Sequence, residues 1–300
     1  MAVSLRGVTK HYGALHAVDG VDLDIARGEV FGLIGHNGAG KSTLFKMMLG
    51  LVAASAGELL IGGAQVDGRG FRAARRQLGY LPENVVLYDN LSGLETLRFF
   101  ARLKHAPLEQ CQPALERVGL APAGTRPVRE YSKGMRQRLG FAQALLGSPQ
   151  VLFLDEPTNG LDPQAIRDFY ALLRDLQQGG VTVIITSHIL AELQERVGRL
   201  AIMSAGKIQA LGSVQELREQ THMPLVFELQ LAAGDLPAVA QALVHVTGAT
   251  PEPAPMGLRL ACRRELKMAV LGALAPFGAR VLDIKMQEPS LEDVFIGFSD

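Results

Sequence analysis

Residues Gly35 to Thr43 read Gly-His-Asn-Gly-Ala-Gly-Lys-Ser-Thr and fit the spacing G-x-x-x-x-G-K-[ST]. This set of residue types suits one chemistry, the holding of a phosphate chain. Gly35, Gly38 and Gly40 let the backbone curl, so that N–H groups along His36, Asn37 and Ala39 can point at one anion. Lys41 is long enough to reach the β- and γ-phosphates. The Ser42 hydroxyl can ligate Mg²⁺, and Thr43 completes the motif. A glycine-rich turn that binds nothing would share the spacing. The flanks argue against it: Glu29–Ile34 reads as a buried strand entering the loop, and Leu44, Met47, Met48 and Leu51 follow at helical spacing.

A second set of acids stands far downstream. The apolar run Val151–Leu154 ends in Asp155 and Glu156. In a parallel sheet, strand ends lie beside the phosphate loop. There Asp155 can hold the shell of a Mg²⁺ ion, and Glu156 can orient or deprotonate an attacking water. Acids ahead of a proline such as Pro157 also suit a plain turn. The phosphate loop upstream favours the catalytic reading. His188 follows the strand Val181–Ser187, where it could touch a γ-phosphate or simply be a hydrogen-bonded core histidine. Ser132 is placed to cap a helix that opens with Lys133, Gly134 and Met135. That helix start could bind a second phosphate face or be a capped basic surface helix.

Positioning these residues requires strands alternating with helices. Residues 2–30 alternate apolar and polar side chains, as antiparallel strands do. Gly57–Ile61 reads as another strand. Ser92 and Glu95 form a capping box for a helix to about Lys104. Further helices are expected over Leu108–Val118, from Ser132 to Leu146, and over Asp162–Gln178. Val181–Thr186 is a β-branched strand, and Leu200–Met203 with Lys207–Ala210 suggests a hairpin. The pattern is α/β with a helical insertion. Composition shifts near Gly212. Beyond it the order strand, helix, strand, helix, strand spans Val226–Leu231, Leu236–Val246, Leu258–Cys262, Arg264–Leu274 and Val281–Lys285, with Thr250–Met256 as a proline-rich loop. This is a small α+β domain of the split βαβ kind.

Composition sets limits on the partners. Three hundred residues suggest about two domains, and 48% apolar content is ample for their cores. A formal net charge of +0 gives nucleic acid no bulk field to follow. Cys111 and Cys262 form neither a disulfide framework nor a C-x-x-C pair, which fits a reducing cytoplasm. No signal-peptide pattern and no apolar run long enough to span a membrane is present, so a membrane role would need a partner.

The chain resembles the nucleotide-binding subunit of ABC transporters, and the resemblance covers residues 2–212 in the family's motif order. Gly35–Thr43 is similar to the Walker A loop and Val151–Glu156 to the Walker B strand. Ser132 and Gly134 match the signature motif, Asn159–Asp162 the D-loop, and His188 the switch histidine. Tyr12 falls where the family stacks an aromatic ring on adenine. Two departures stand out. The usual L-S-G-G-Q signature reads Tyr131-Ser132-Lys133-Gly134-Met135, and the Q-loop glutamine is replaced by Glu83, whose carboxylate can still ligate Mg²⁺.

The resemblance implies a RecA-like P-loop ATPase core over residues 1–212, with an antiparallel subdomain and a helical insertion over about 88–148. Residues 213–300 would be a C-terminal accessory domain. It implies ATP and Mg²⁺ as cofactors, Glu156, His188 and Lys41 as catalytic residues, and Ser42, Glu83 and Asp155 as metal ligands. Two chains would pair head to tail, Ser132 and Gly134 of one completing the site of the other. The pair would dock an integral membrane subunit around Glu83–Phe100, at the inner face of the cell membrane. Arg75–Val85, Leu91–Lys104 and Tyr131–Gly147 resemble the ATP-binding subunit of the Nos system, which serves copper-centre maturation of nitrous oxide reductase. That resemblance extends to a periplasmic accessory subunit reached through the membrane protein. The tail Glu288–Phe295 is similar to a group that includes drug-export ATPases, so a drug or lipid exporter is the alternative. A soluble ABC ATPase acting on ribosomes or DNA fits less well, because one cassette and zero net charge argue against it. His222 and Met223 are a lone pair of soft ligands, too few for a copper site, and Met47, Met48 and Met203 suit core positions.

Overall fold

The alternating N-terminal segment becomes two long antiparallel strands, β1 (Val3–Tyr12) and β2 (Leu15–Ile25). The computed structural model describes residues 1–187, 193–194, 196–221, 223–232 and 234–299. Strand β3 (Val30–Gly35) leaves this layer for a second sheet. β4 (Ala56–Ile61) and β5 (Ala64–Gln65) return to the first, giving the antiparallel order β2-β1-β4-β5.

The second sheet holds β6 (Leu78–Leu81), β7 (Val151–Asp155), β8 (Thr182–Thr186), β9 (Arg199–Ser204) and β10 (Lys207–Gly212) in the order β10-β9-β3-β8-β7-β6. All pairings are parallel except β9 with β10, so the sheet is mixed and the class α/β. Both faces are covered, so β7 and β8 are buried along their length up to Asp155. Helix α1 (Lys41–Met48) packs on it, with Phe45 edge-on to Phe153 at 5.6 Å. The short edge strand β6 was not expected from sequence. Its Gly79 allows close contact, since a Cβ there would lie 2.3 Å from the Ala144 carbonyl oxygen.

Helices α2 (Phe71–Ala74), α3 (Gly93–Lys104), α4 (Cys111–Arg117), α5 (Lys133–Leu145) and α6 (Pro163–Gln178) complete this part. The capping box at α3 is present, with the Ser92 amide donating to Glu95 Oε2 at 2.8 Å. The helix expected over Leu108–Val118 is divided. A 3-10 turn covers Leu108–Gln110, and α4 begins only at Cys111. Pro113 explains this, because proline lacks the amide an inner helical position needs and is tolerated in the first turn.

The chain divides into two compact units, Met1–Ser213 and Val214–Asp300. The second contains α7 (Val214–Gln220), β11 (Leu225–Leu231), α8 (Leu236–Thr247), β12 (Glu252–Ala254), β13 (Gly257–Cys262), α9 (Lys267–Leu274), β14 (Val281–Gln287) and α10 (Leu291–Ser299). Its sheet is antiparallel in the order β12-β13-β11-β14. Leu225, Phe227, Leu229 and Leu231 point into the core with Val239, Leu243, Val270 and Leu274 from the helices. The proline-rich segment expected as a loop forms strand β12 instead. Pro253 is tolerated because β12 lies at the sheet edge, where a missing amide breaks no inner ladder. Among the described residues no helix is long and apolar enough to cross a membrane.

Candidate functional site

The phosphate loop is shaped by glycines at two crowded points. A Cβ on Gly35 would lie 2.5 Å from the Met203 carbonyl oxygen. Gly40 caps α1 in the left-handed region at φ 102°, and a Cβ there would meet the Ala17 carbonyl at 2.3 Å. The loop is clipped from behind by the turn between β9 and β10. The Gly206 amide donates to the Ala39 carbonyl at 3.1 Å, and the Asp19 amide donates to the Gly206 carbonyl at 2.9 Å. The Ala39 amide also donates to His36 O at 3.1 Å. The chain around Asn37, Gly38 and Gly40 is thereby held in a curl opening toward Lys41, Ser42 and Thr43 at the start of α1.

The Lys41 ammonium donates to the carbonyls of Gly35 and His36. Burial lowers its pKa below the usual lysine range, while the carboxylates of Glu156, Asp155 and Glu83 work to raise it. The fold therefore gathers the phosphate-loop lysine and all three predicted acids into one electrostatic neighbourhood. Tyr80 on β6 shares it, with its hydroxyl pKa raised by burial first and then by Asp155 and Glu83. The donor set fits a nucleotide with a hard cation: a curled amide loop, one ammonium, the Ser42 hydroxyl and carboxylate oxygens.

The end of β7 has an organiser that the sequence reading did not identify. Thr186, fully buried at the end of β8, donates its hydroxyl to Asp155 Oδ1 at 2.6 Å and accepts from the Glu156 amide at 3.0 Å. Glu156 has φ 48°, a left-handed backbone that is costly for glutamate and unusual before a proline. The Thr186 bond secures that turn from one side. On the other, buried Gln137 of α5 donates to the Pro157 carbonyl at 3.2 Å. The available signal was a threonine at the C-terminal end of a buried strand, after the apolar run Val183–Ile185.

Ser132 caps α5 by accepting from the Met135 amide at 3.2 Å. Gly134 stands against the Asn159–Asp162 segment, where its Cβ would lie 3.3 Å from the Gly160 carbonyl. Two of the three departures in this motif have local explanations. Lys133 lays its stem over Gly160, whose own Cβ would be 2.8 Å from Lys133 Cδ. Tyr131 is buried and donates its hydroxyl to the Ala123 carbonyl at 2.6 Å, tying α5 to the segment before it. Asp162 caps α6, accepting from the Ala165 amide at 2.8 Å.

Tyr12 ends β1 with its ring half exposed, and Lys10 Nζ stands 5.2 Å from the ring centroid. Glu83 is exposed just beyond β6. His188 lies outside the described residues, as does His222. Met47, Met48 and Met203 are fully buried core residues. Among the described residues no group of three or more His, Cys, Asp or Glu side chains could hold a metal.

A family profile described as ABC transporter matches residues 18–159. A daunorubicin resistance ATP-binding protein of Streptomyces coeruleorubidus is 36% identical over 98% of this chain and 95% of its own. A phospholipid-transporting ATPase of Homo sapiens is 38% identical over 98% of this chain, which spans 14% of that protein. Among solved structures, an ATP binding subunit of an ABC transporter superposes with a TM-score of 0.68 at 30% identity, covering 73% of this chain and 93% of that one.

Proposed function

This chain belongs to the ATP-binding subunits of ABC transporters and is an ATPase, and from that premise we propose how its residues act and what it drives. The observation that carries the reading is the convergence of Lys41, Asp155, Glu156 and Glu83 on one phosphate loop. The loop amides of Gly35–Thr43 and the Lys41 ammonium hold the phosphates. Ser42 and Asp155 would hold Mg²⁺, with Glu83 standing where the family has a glutamine. Thr186 donates to Asp155 Oδ1, so the other carboxylate oxygen would be the one offered to a cation. Bound Mg²⁺ supplies charge neutralisation of the transferring phosphoryl group. Glu156 receives the proton of the attacking water or orients it, and His188 contacts the γ-phosphate. Tyr12 offers its ring to the adenine.

Two copies close head to tail on ATP, each lending Ser132 and Gly134 to the other, and open after hydrolysis. The pair works at the inner face of the cell membrane on a separate transmembrane subunit. A groove lined by Pro82, Asn84, Val86, Phe100 and Leu103 supports docking there, with Val86 87% exposed.

For the cargo, the segments Arg75–Val85, Leu91–Lys104 and Tyr131–Gly147 support copper-centre maturation of the Nos kind, with a periplasmic accessory subunit beyond the membrane protein. The near full-length similarity to drug-resistance and phospholipid-transporting ATPases supports a second reading, a drug or lipid exporter. The test is to purify the tagged Glu156→Gln chain from its own membranes with ATP–Mg²⁺ and identify the integral membrane protein retained. Recovery of a copper-maturation permease supports the first reading, and an exporter subunit supports the second. If no membrane protein is retained under conditions that close the dimer, the coupling proposal fails.

A further inference from the structure

One face of the C-terminal sheet carries a row of directly opposed charges. Glu252 on β12 faces Arg259 on β13, Arg259 faces Glu228 on β11, and Glu228 faces Lys285 on β14. The signs alternate from edge to edge, and each opposed pair is mutually favourable. Lys285 ends the row on the edge strand, where its Nζ is 3.9 Å from Glu228 Oε2 and its side chain is 67% exposed. An acid opposite Lys285 on one further strand would continue the alternation.

Strand β14 itself contains that acid in the required place. Asp283 lies two residues before Lys285 and so shares its face, while Ile284 between them points to the other. We propose that β14 pairs antiparallel with β14 of a second copy, about a two-fold axis at Ile284. Each Asp283 then faces Lys285 of the other copy, and each charge row gains a fifth member across the junction. Ile284 meets its counterpart on the opposite face, where it is an exposed hydrophobic residue. Centring the pair on Asp283 or Lys285 would oppose like charges, so the charge pattern selects one register. The contact is isologous, as a two-fold dimer requires.

The free edge is already arranged for the exchange. The Ile284 amide donates to its own Asp283 Oδ1 at 2.8 Å. Pairing gives that amide a carbonyl of the second copy and releases Asp283 to Lys285. The pairing with β11 shifts between Asp283 and Val281, which leaves a bulge at Leu282. Bulges and edge lysines discourage indiscriminate strand addition. With the axis at Ile284 they restrict the pairing to the short run from Asp283 to Lys285 and to a strand carrying acid and base in complementary order.

The contact does not depend on nucleotide, so it is tested in the full-length chain without ATP, by sedimentation velocity over a range of concentrations. A concentration-dependent dimer is expected. Asp283→Lys and Lys285→Asp should each weaken it about tenfold or more, and the double swap should restore it. Both sites are exposed, and matching melting curves would show that the variants fold. Ile284→Cys should crosslink to itself with a short bis-maleimide reagent, because Cys111 and Cys262 are buried. A monomer at every concentration, or a swap that fails to restore association, overturns the proposal. A strand supplied instead by the membrane subunit would give the first of these outcomes, a monomer at every concentration. Failure of ATP hydrolysis would leave this contact unaffected and would count only against the catalytic reading.

Discussion

The two units bury different kinds of side chain. Among the described residues, every fully buried polar side chain (Thr96, Gln137, Thr158, Thr182, Thr186 and Ser187) belongs to the first unit. The non-glycine residues with left-handed backbone, His105, Ser148, Glu156 and Ala205, belong to it as well. The C-terminal core is apolar throughout. A buried polar group must be hydrogen-bonded or it costs stability, so a fold keeps such groups where a geometry has to be held. The first unit is built around strained strand ends and bonded polar side chains. The second follows the two-residue strand pattern, with a row of charges on the outer face of its sheet. This contrast is in keeping with the catalytic reading proposed for the first and the strand pairing proposed for the second.

The contrast is broken most directly at Glu156. Glu156→Gln keeps the shape and the bond from the Asn159 amide to the Glu156 carbonyl but removes the base. Turnover should fall by about 10²-fold or more, with nucleotide affinity retained. Phosphate release and equilibrium binding of a fluorescent ATP analogue measure the two separately. Turnover near the parent rate would remove Glu156 from the chemistry. Lys41→Ala should instead weaken nucleotide binding itself, because the phosphates lose their ammonium partner.

A smaller effect is expected at Thr186. Thr186→Val keeps the shape and deletes the hydroxyl that bonds Asp155 and the Glu156 amide. The buried amide left without a partner should lower stability by about 1–3 kcal/mol. Turnover should fall more than ATP affinity, and the Mg²⁺ concentration for half-maximal nucleotide binding should rise. Thr186→Ser should restore both. A valine variant that is merely less stable, with turnover and Mg²⁺ dependence unchanged, would make Thr186 a packing residue.

Much of this site could be read from residue types because its parts are short and local. The phosphate loop, the acids ending β7 and the caps at Ser92, Ser132 and Asp162 each depend on neighbours within a few positions. What escaped depends on distant contacts. Thr186 gains its role only because β8 pairs with β7, 31 residues away. Strand β6 is four residues long and is recognisable only once α5 packs on Gly79. Strand β12 contains a proline, and only its place at the sheet edge makes that acceptable. Helices α7 and α10 were not expected either. They pack within the second unit, where Arg218 of α7 donates to Glu288 at 2.9 Å and to the Pro289 carbonyl at 2.7 Å.

Removing the second unit sharpens the comparison further. A chain ending at Ser213 keeps both sheets of the first unit and all the described catalytic candidates. Its ATP affinity should stay within about threefold of the parent, a change under 1 kcal/mol. Nucleotide-free association should disappear, because β14 is gone. Loss of ATP binding, measured by isothermal titration, would show that the first unit needs the second for its fold.

The smallest effect concerns a half-buried charge in the first unit. Lys104, at the end of α3, donates to the Leu146 carbonyl, and burial lowers its pKa to about 8. In the unfolded chain it returns to about 10.4. Between those values the unfolded state holds the proton and the folded state does not, so this group makes stability rise as pH increases from about 8 to 10.4. Below pH 8 both states are charged and the burial penalty is constant. Tyr80 and Tyr131, whose pKa values burial raises, act in the opposite sense at higher pH, so the parent alone does not isolate the lysine. The difference between parent and Lys104→Met does. Urea unfolding at pH 8 and pH 10 should show the methionine variant gaining less stability with pH than the parent. Equal slopes would mean that Lys104 is better solvated than its place beside Leu146 indicates. The first unit would then hold no desolvated charge at this position, and its distinction from the C-terminal core would rest on neutral polar groups alone.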